Sequence, residues 1–142
     1  MYDKKKFIVD YVKEAQIRLE FINRAFEEKR YNTVIREAQT VVELLSKALL
    51  FSLGRVVPTK HNIREDLKDA KDLLSKNFQK EYNQVNRLFA KLLIEREPSL
   101  YGDVDLNKIA SEFYTKDDAE KYIKDVEKFH ILCKEELKEF LK

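Results

Sequence analysis

Cysteine occurs once in this chain, at Cys133; glycine and proline occur twice each, and tryptophan is absent. A single thiol closes no internal disulfide, and no group of Cys and His has metal-ligand spacing, so neither a disulfide scaffold nor a zinc finger is available. No cofactor is implied. A reducing compartment is the default, and the cytoplasm is the expected location. Turn formers are too few for an all-β fold, which needs a turn every ~8–12 residues. Long apolar runs are missing as well. The longest, Ala48–Phe51, is far short of the ~18 residues of a membrane span, so no membrane association is expected. The basic cluster Lys4, Lys5, Lys6 leads into a mixed polar pattern and not into the apolar stretch of a signal peptide. An excess of one charge sign is also lacking. The 28 Lys+Arg against 26 Asp+Glu argue neither for nor against a polyanionic partner, although a DNA coat is not expected.

What is present is enough for one domain over residues 1–142: a chain of this length buries roughly 68–70% of its unfolded surface without disulfide or metal. Abundant Lys and Glu beside scarce Cys, Met and Gly suggest a heat-adapted source.

Apolar residues recur at helical spacing along most of the chain. Ile8, Tyr11, Val12, Ala15, Leu19, Ile22 and Phe26 predict a long amphipathic helix from Asp3 to Glu28, ended by a short turn at 28–32. A second helix, Tyr31 to Leu53, carries Val34, Ala38, Val41, Val42, Leu45, Ala48 and Leu49, with Gly54 placed for a left-handed C-terminal cap. Pro58 makes 55–63 a loop. Asn62 and Glu65 have the spacing of a capping box for a third helix, Ile63 to Leu74. A fourth, Phe78 to Arg96, is expected to stop at Pro98, ahead of an irregular loop at 101–105. Thr115 and Asp118 are spaced to cap a last helix, Lys116 to Leu141, whose stripe includes His130 and Cys133. The expected fold is all-α, an up-and-down bundle of four to five helices.

Some polar residues are read from their own positions. Glu43 and Lys47 stand i to i+4, which suits a helix-surface ion pair of ~0.3–0.5 kcal/mol or the lining of a ligand-facing groove. His130 and Cys133 lie on an apolar stripe and read as core or interface residues. Lys4, Lys5, Lys6, Lys13, Arg24, Lys29, Arg30 and Arg36 could meet phosphates. Acids interleave with them, so a solvated face is the expectation. Gly54 and Gly102 are isolated, so there is no glycine-rich phosphate loop.

The order of several short signals carries more. An aromatic follows the first turn at Tyr31; then come Ala38-Gln39, Val42-Glu43-Leu44, Lys47-Ala48-Leu49-Leu50, Gly54, Pro58 and His61. Further on stand Arg96, Tyr101, Ala119-Glu120 and Tyr122. In this order the chain resembles the HEPN domain family, the higher eukaryotes and prokaryotes nucleotide-binding domain, most of all over 31–67.

The resemblance implies a helical bundle that forms a homodimer, binds a nucleotide or RNA, and works beside a minimal nucleotidyltransferase. Many relatives belong to toxin–antitoxin pairs, and some are metal-independent ribonucleases using an Arg, four to six residues, then a His at a dimer cleft. In that motif the guanidinium grips phosphate and an imidazole with pKa near ~6.5 moves a proton at neutral pH. Here Arg96 is followed at the fifth position by Tyr101, whose phenol, with pKa near ~10, is a poor base at pH 7. A binding module is therefore expected, with Arg96 on phosphate, Tyr101 stacking on a base, and Asp103, His61, Glu43 and Lys47 as weaker ligand candidates. The alternative is a ribonuclease in which His61 or His130 reaches Arg96 through the fold or across a dimer. Arg55 and His61 match the motif spacing formally, but in the loop after the second helix, where His61 more simply fixes the loop.

Overall fold

The computed structural model describes residues 2–142. It is helical throughout: α1 (Lys4–Glu27), α2 (Tyr31–Ser52), α3 (Arg64–Ala70), α4 (Lys76–Tyr101) and α5 (Lys116–Glu136), with short 3-10 turns at Lys71–Leu73, Ala110–Glu112 and Lys138–Phe140. Among the described residues the only β pairing is an isolated bridge between Asp103 and Lys108, and no helix is long and apolar enough to cross a membrane.

The most apolar helix lies at the centre. Val34, Ile35, Ala38, Val41, Val42, Leu45, Leu49 and Leu50 of α2 are fully buried, and α1, α4 and α5 all pack against it. Ile8, Val12, Ala15 and Ile22 supply the α1 side, Phe78, Phe89 and Leu92 the α4 side, and Val126, Phe129 and Cys133 the α5 side. These are the stripes that the 3.6-residue period marks out, and burying each such side chain is worth ~1.5–3 kcal/mol.

The ends have local causes. Lys29 closes α1 at φ 60°, and Arg30 N–H reaches back to the Ala25 carbonyl (2.9 Å), the left-handed termination that glycine usually supplies. Gly54 ends α2 at φ 70°, as its position predicted. Thr115 and Asp118 form the expected capping box on α5.

Four expectations fail. The last helix stops at Glu136 and not at Leu141, and the 3-10 turn Lys138–Phe140 follows it. The box at Asn62 and Glu65 does not form: Ile63 occupies the cap position, and Asn62 Oδ1 instead accepts from Arg64 N–H (3.2 Å). The third helix is shorter than expected, giving way to a 3-10 turn and then to Ser75, whose hydroxyl caps α4 by accepting from Phe78 N–H (3.2 Å). Pro98 does not stop α4, which runs on to Tyr101 and ends at Gly102, φ 72°. Proline removes one N–H, the donor to the Ile94 carbonyl; position 94 is exposed, so the lost bond strands no buried carbonyl and the helix continues.

Candidate functional site

Glu43 and Lys47 are on the polar flank of α2, and the loop after Gly54 folds His61 back onto them. Glu43 Oε1 accepts from His61 Nδ1 and from Gln39 Nε2, both at 2.9 Å, and Oε2 accepts from Lys47 Nζ at 3.2 Å. A carboxylate only accepts, so Nδ1 carries the imidazole proton and Nε2 is left as the ring's other nitrogen. This is not the solvated surface pair allowed by the sequence: the Lys47 side chain is 8% exposed and that of Glu43 15%.

The network continues towards the start of α2. Gln39, 1% exposed, turns its Oε1 to Arg36 Nη1 (3.0 Å), and the same nitrogen donates to Thr40 Oγ1 (3.0 Å). Both acceptors are neutral, so they orient the guanidinium without cancelling its charge. Arg36 is half-buried, and the expectation of a solvated face fails for it. At ~100° per residue, positions 36, 40, 43 and 47 share a sector of roughly 60° on α2.

The end of α4 lies against the start of α2. Asn32 donates Nδ2–H to the Ser99 carbonyl (3.2 Å), and Ser99 Oγ–H donates to the Arg96 carbonyl (3.0 Å). Arg96 is one turn before Ser99, and Arg36 is one turn after Asn32. Because α2 and α4 run antiparallel, helical rotation puts both arginines on one flank of the seam at about the same level. Arg96 Nε is buried without a partner, and no carboxylate pairs with the guanidinium among the described residues. Asn32 Oδ1, at the same end, is likewise buried and unpartnered.

Arg18, also half-buried, is ion-paired with Glu14 and Glu37. Arg64, at the start of α3, donates Nε–H to Asn86 Oδ1 (2.9 Å) and to no acid. Arg36, Arg64 and Arg96, unlike Arg18, are thus half-buried without a carboxylate partner.

Beyond Arg96, Tyr101 is 74% exposed. Asp103 is committed to its own loop, pairing by backbone with Lys108 and accepting from Leu106 N–H (3.2 Å). That loop is tightly built. A Cβ at Gly102 would stand 2.4 Å from the Lys108 carbonyl oxygen, and Asn107 is left-handed at φ 52°. It holds Val104, Leu106 and Ile109 in solvent, next to the exposed Leu100 and Tyr101 at the end of α4.

His130 belongs elsewhere. It lines a cleft of about 220 Å³ between α1 and α5 with Leu19, Ile22, Asn23, Ile123, Val126 and Glu127, and no arginine is in that lining. Burial, with a smaller push from Lys134, holds its pKa below the ordinary value. Cys133 is fully buried, and burial raises its thiol pKa. Near the seam, Tyr114 Oη–H donates to Glu95 (2.5 Å); burial first, then this bond, raises its pKa. Among the described residues, no group of three or more His, Cys, Asp or Glu side chains could hold a metal.

The sequence-derived candidates therefore form two groups on one seam. Glu43, Lys47 and His61 meet directly. Arg96 lies roughly 10 Å further along and Tyr101 roughly 18 Å, at a 1.5 Å rise per residue, with Asp103 following in the next loop. His130 joins neither. The residues missed are Gln39, Thr40 and the role of Arg36. Their signal was the spacing 32, 36, 39, 40, 43 and 47, a polar stripe on the most apolar helix.

The comparisons bear on the same stretch of chain. A family model described as the HEPN domain matches residues 8–137. Neither a curated protein nor a solved structure matches.

Proposed function

The chain belongs to the HEPN domain family, and from that premise we propose that it is a nucleotide- or RNA-binding helical module, a homodimer that binds rather than cuts and serves a minimal nucleotidyltransferase. The carrying observation is at Arg96. Its guanidinium is half-buried and free of any carboxylate, while the fifth residue after it is the exposed phenol of Tyr101. A guanidinium holds a phosphate by charge-assisted hydrogen bonds. Without an imidazole beside it, the proton of an attacking 2′-hydroxyl has no acceptor tuned to neutral pH. His61 is held by Glu43 further down the seam, and His130 faces α1. Tyr101 supplies a ring on which a base stacks, a contact worth ~1–3 kcal/mol. The apolar side chains at the end of α4 and in the loop that follows, Leu100, Val104, Leu106 and Ile109, support self-association, because they stand in water without a cover.

One observation favours a second reading, a ribonuclease toxin of a toxin–antitoxin pair. His61 lies in the same network as Arg36, and its Nδ1 is fixed on a carboxylate, the orientation of a working general base. Incubation of an RNA pool with metal-free protein, scored for bound and cut RNA, decides between the two. Binding without cleavage that weakens in Arg96→Ala supports the module. Cleavage lost in both Arg96→Ala and His61→Ala overturns it.

A further inference from the structure

We propose that Arg36 and Arg96 form a two-guanidinium clamp, across the α2–α4 seam, for one terminal phosphate group. This rests on the binding function proposed above and adds to it a second phosphate-holding residue and the chemical form of the ligand.

The helix geometry brings the two residues to one level and one flank. The bonding around them supplies the second line of argument. Arg36 is fixed from behind by Gln39 Oε1 and Thr40 Oγ1, both uncharged. Gln39 is fixed in turn by Glu43, and the Glu43 carboxylate is met by Lys47 Nζ and His61 Nδ1. The relay orients Arg36 through neutral groups and keeps the acid at its far end, where other groups meet its charge. Arginines that serve the scaffold look different: Arg18 meets Glu14 and Glu37, and Arg24 meets Glu28. At the Arg96 side the buried Nε–H meets no acceptor of the chain. Arg18 Nε also lacks an aligned hydrogen bond but has the Glu14 carboxylate at 3.2 Å, whereas no carboxylate pairs with Arg96.

Two uncompensated guanidiniums at one level match an anion of more than one charge. A terminal phosphate carries about −1.5 to −2 at pH 7, whereas an internal phosphodiester carries one charge. The matching ligand group is therefore a phosphomonoester, found on a free nucleotide or on the 5′ end of an RNA. Gln39 is a positioning residue in this scheme, acting on the ligand through Arg36.

The test compares equilibrium binding of four probes to the full chain: adenosine, adenosine 5′-monophosphate, and one short single-stranded RNA with a 5′-hydroxyl or a 5′-phosphate. The phosphorylated member of at least one pair is expected to bind about tenfold to a hundredfold more tightly, the range for hydrogen bonds to charged groups. Preference within the adenosine pair identifies a free nucleotide, and preference only within the RNA pair identifies an RNA end. Arg36→Ala and Arg96→Ala should each abolish the preference. Arg36→Lys should restore little of it, since it keeps the charge and loses the fork. The double variant should be no worse than either single one, the mark of a shared ligand group. Gln39→Leu should reduce the preference less than Arg36→Ala does, as expected of a residue that acts on the ligand through Arg36. Circular dichroism melts confirm that each variant folds. Retention of the preference in Arg36→Ala, with loss in Arg96→Ala, overturns the clamp and leaves the binding module standing. Equal binding of both members of each pair by the parent chain also overturns the clamp. No binding of any probe overturns both.

Discussion

Replacing Glu43 by leucine tests the burial of the seam network. Glu43 accepts from Gln39, Lys47 and His61, and its removal strands the Lys47 ammonium in a side chain that is 8% exposed. Breaking a buried pair from one side costs ~3–5 kcal/mol. Glu43 retains some exposure, which places the expected loss near the low end, about 3 kcal/mol. Unfolding entropy near ~2.1 cal/mol/K per residue gives about 0.3 kcal/mol per degree for 142 residues. Tm should therefore fall by about 10 °C in a calorimetric or circular dichroism melt. Lys47→Met should cost less, because the remaining carboxylate keeps two donors. The double variant Glu43→Leu/Lys47→Met should recover much of the Glu43→Leu loss by removing the stranded charge. A drop of only a degree or two in Glu43→Leu would refute the reasoning, since that is the effect of a solvated i to i+4 pair worth ~0.3–0.5 kcal/mol.

Other consequences are open to measurement. Gly102→Ala should lower Tm by about 10 °C or distort the 102–108 loop, because left-handed backbone costs ~1–2 kcal/mol and the new Cβ meets Lys108, Ile109 and Ala110 backbone. Gly54→Ala, at φ 70° with nothing within 4 Å, should lose only about 3–7 °C; equal losses would contradict the reasoning at both positions. Burial and Lys134 hold the His130 pKa below its unfolded value, so the folded chain takes up that proton less readily than the unfolded chain. His130 thus costs no stability above pH ~6.5, and stability falls as pH drops through its lowered folded pKa. His130→Gln should flatten Tm against pH in the acid range, and an unchanged slope would remove His130 from the account. Val104→Asp and Ile109→Asp should shift the proposed homodimer towards monomer in light scattering. Unaltered mass would place the self-association surface elsewhere.

Helix periodicity made most of the bundle legible before any coordinates. The stripes of α1, α2 and α5, the left-handed Gly54 and the Thr115–Asp118 box are local features, set by residues within a turn or two of one another. What was hidden depends on distant groups. Ser75 bonds to Glu136 through both N–H and hydroxyl, so its cap draws on a residue with no local trace. Asn62 lost its box to Arg64 N–H only two residues on. Pro98 reads as a stop because the solvent exposure of position 94 is a property of the fold.

The site was half legible for the same reason. Spacing shows that Glu43 and Lys47 are neighbours but says nothing about whether the flank they share is covered. The loop that carries His61 back onto α2 provides that cover. Arg36 was hidden among interleaved charges, and its bonds to Gln39 and Thr40 depend on side-chain positions that charge patterning does not record.

The most direct test of a binding site on this seam is a ¹H–¹⁵N spectrum of the chain titrated with a short 5′-phosphorylated single-stranded RNA, with the arginine Nε–H signals resolved. The account predicts shifts at Arg36 and Arg96 Nε–H, at backbone amides from Asn32 to Thr40, and around Tyr101. Shifts confined to the cleft between α4 and α5 lined by Leu88, Lys91 and Phe129, or no shifts at all, would contradict it.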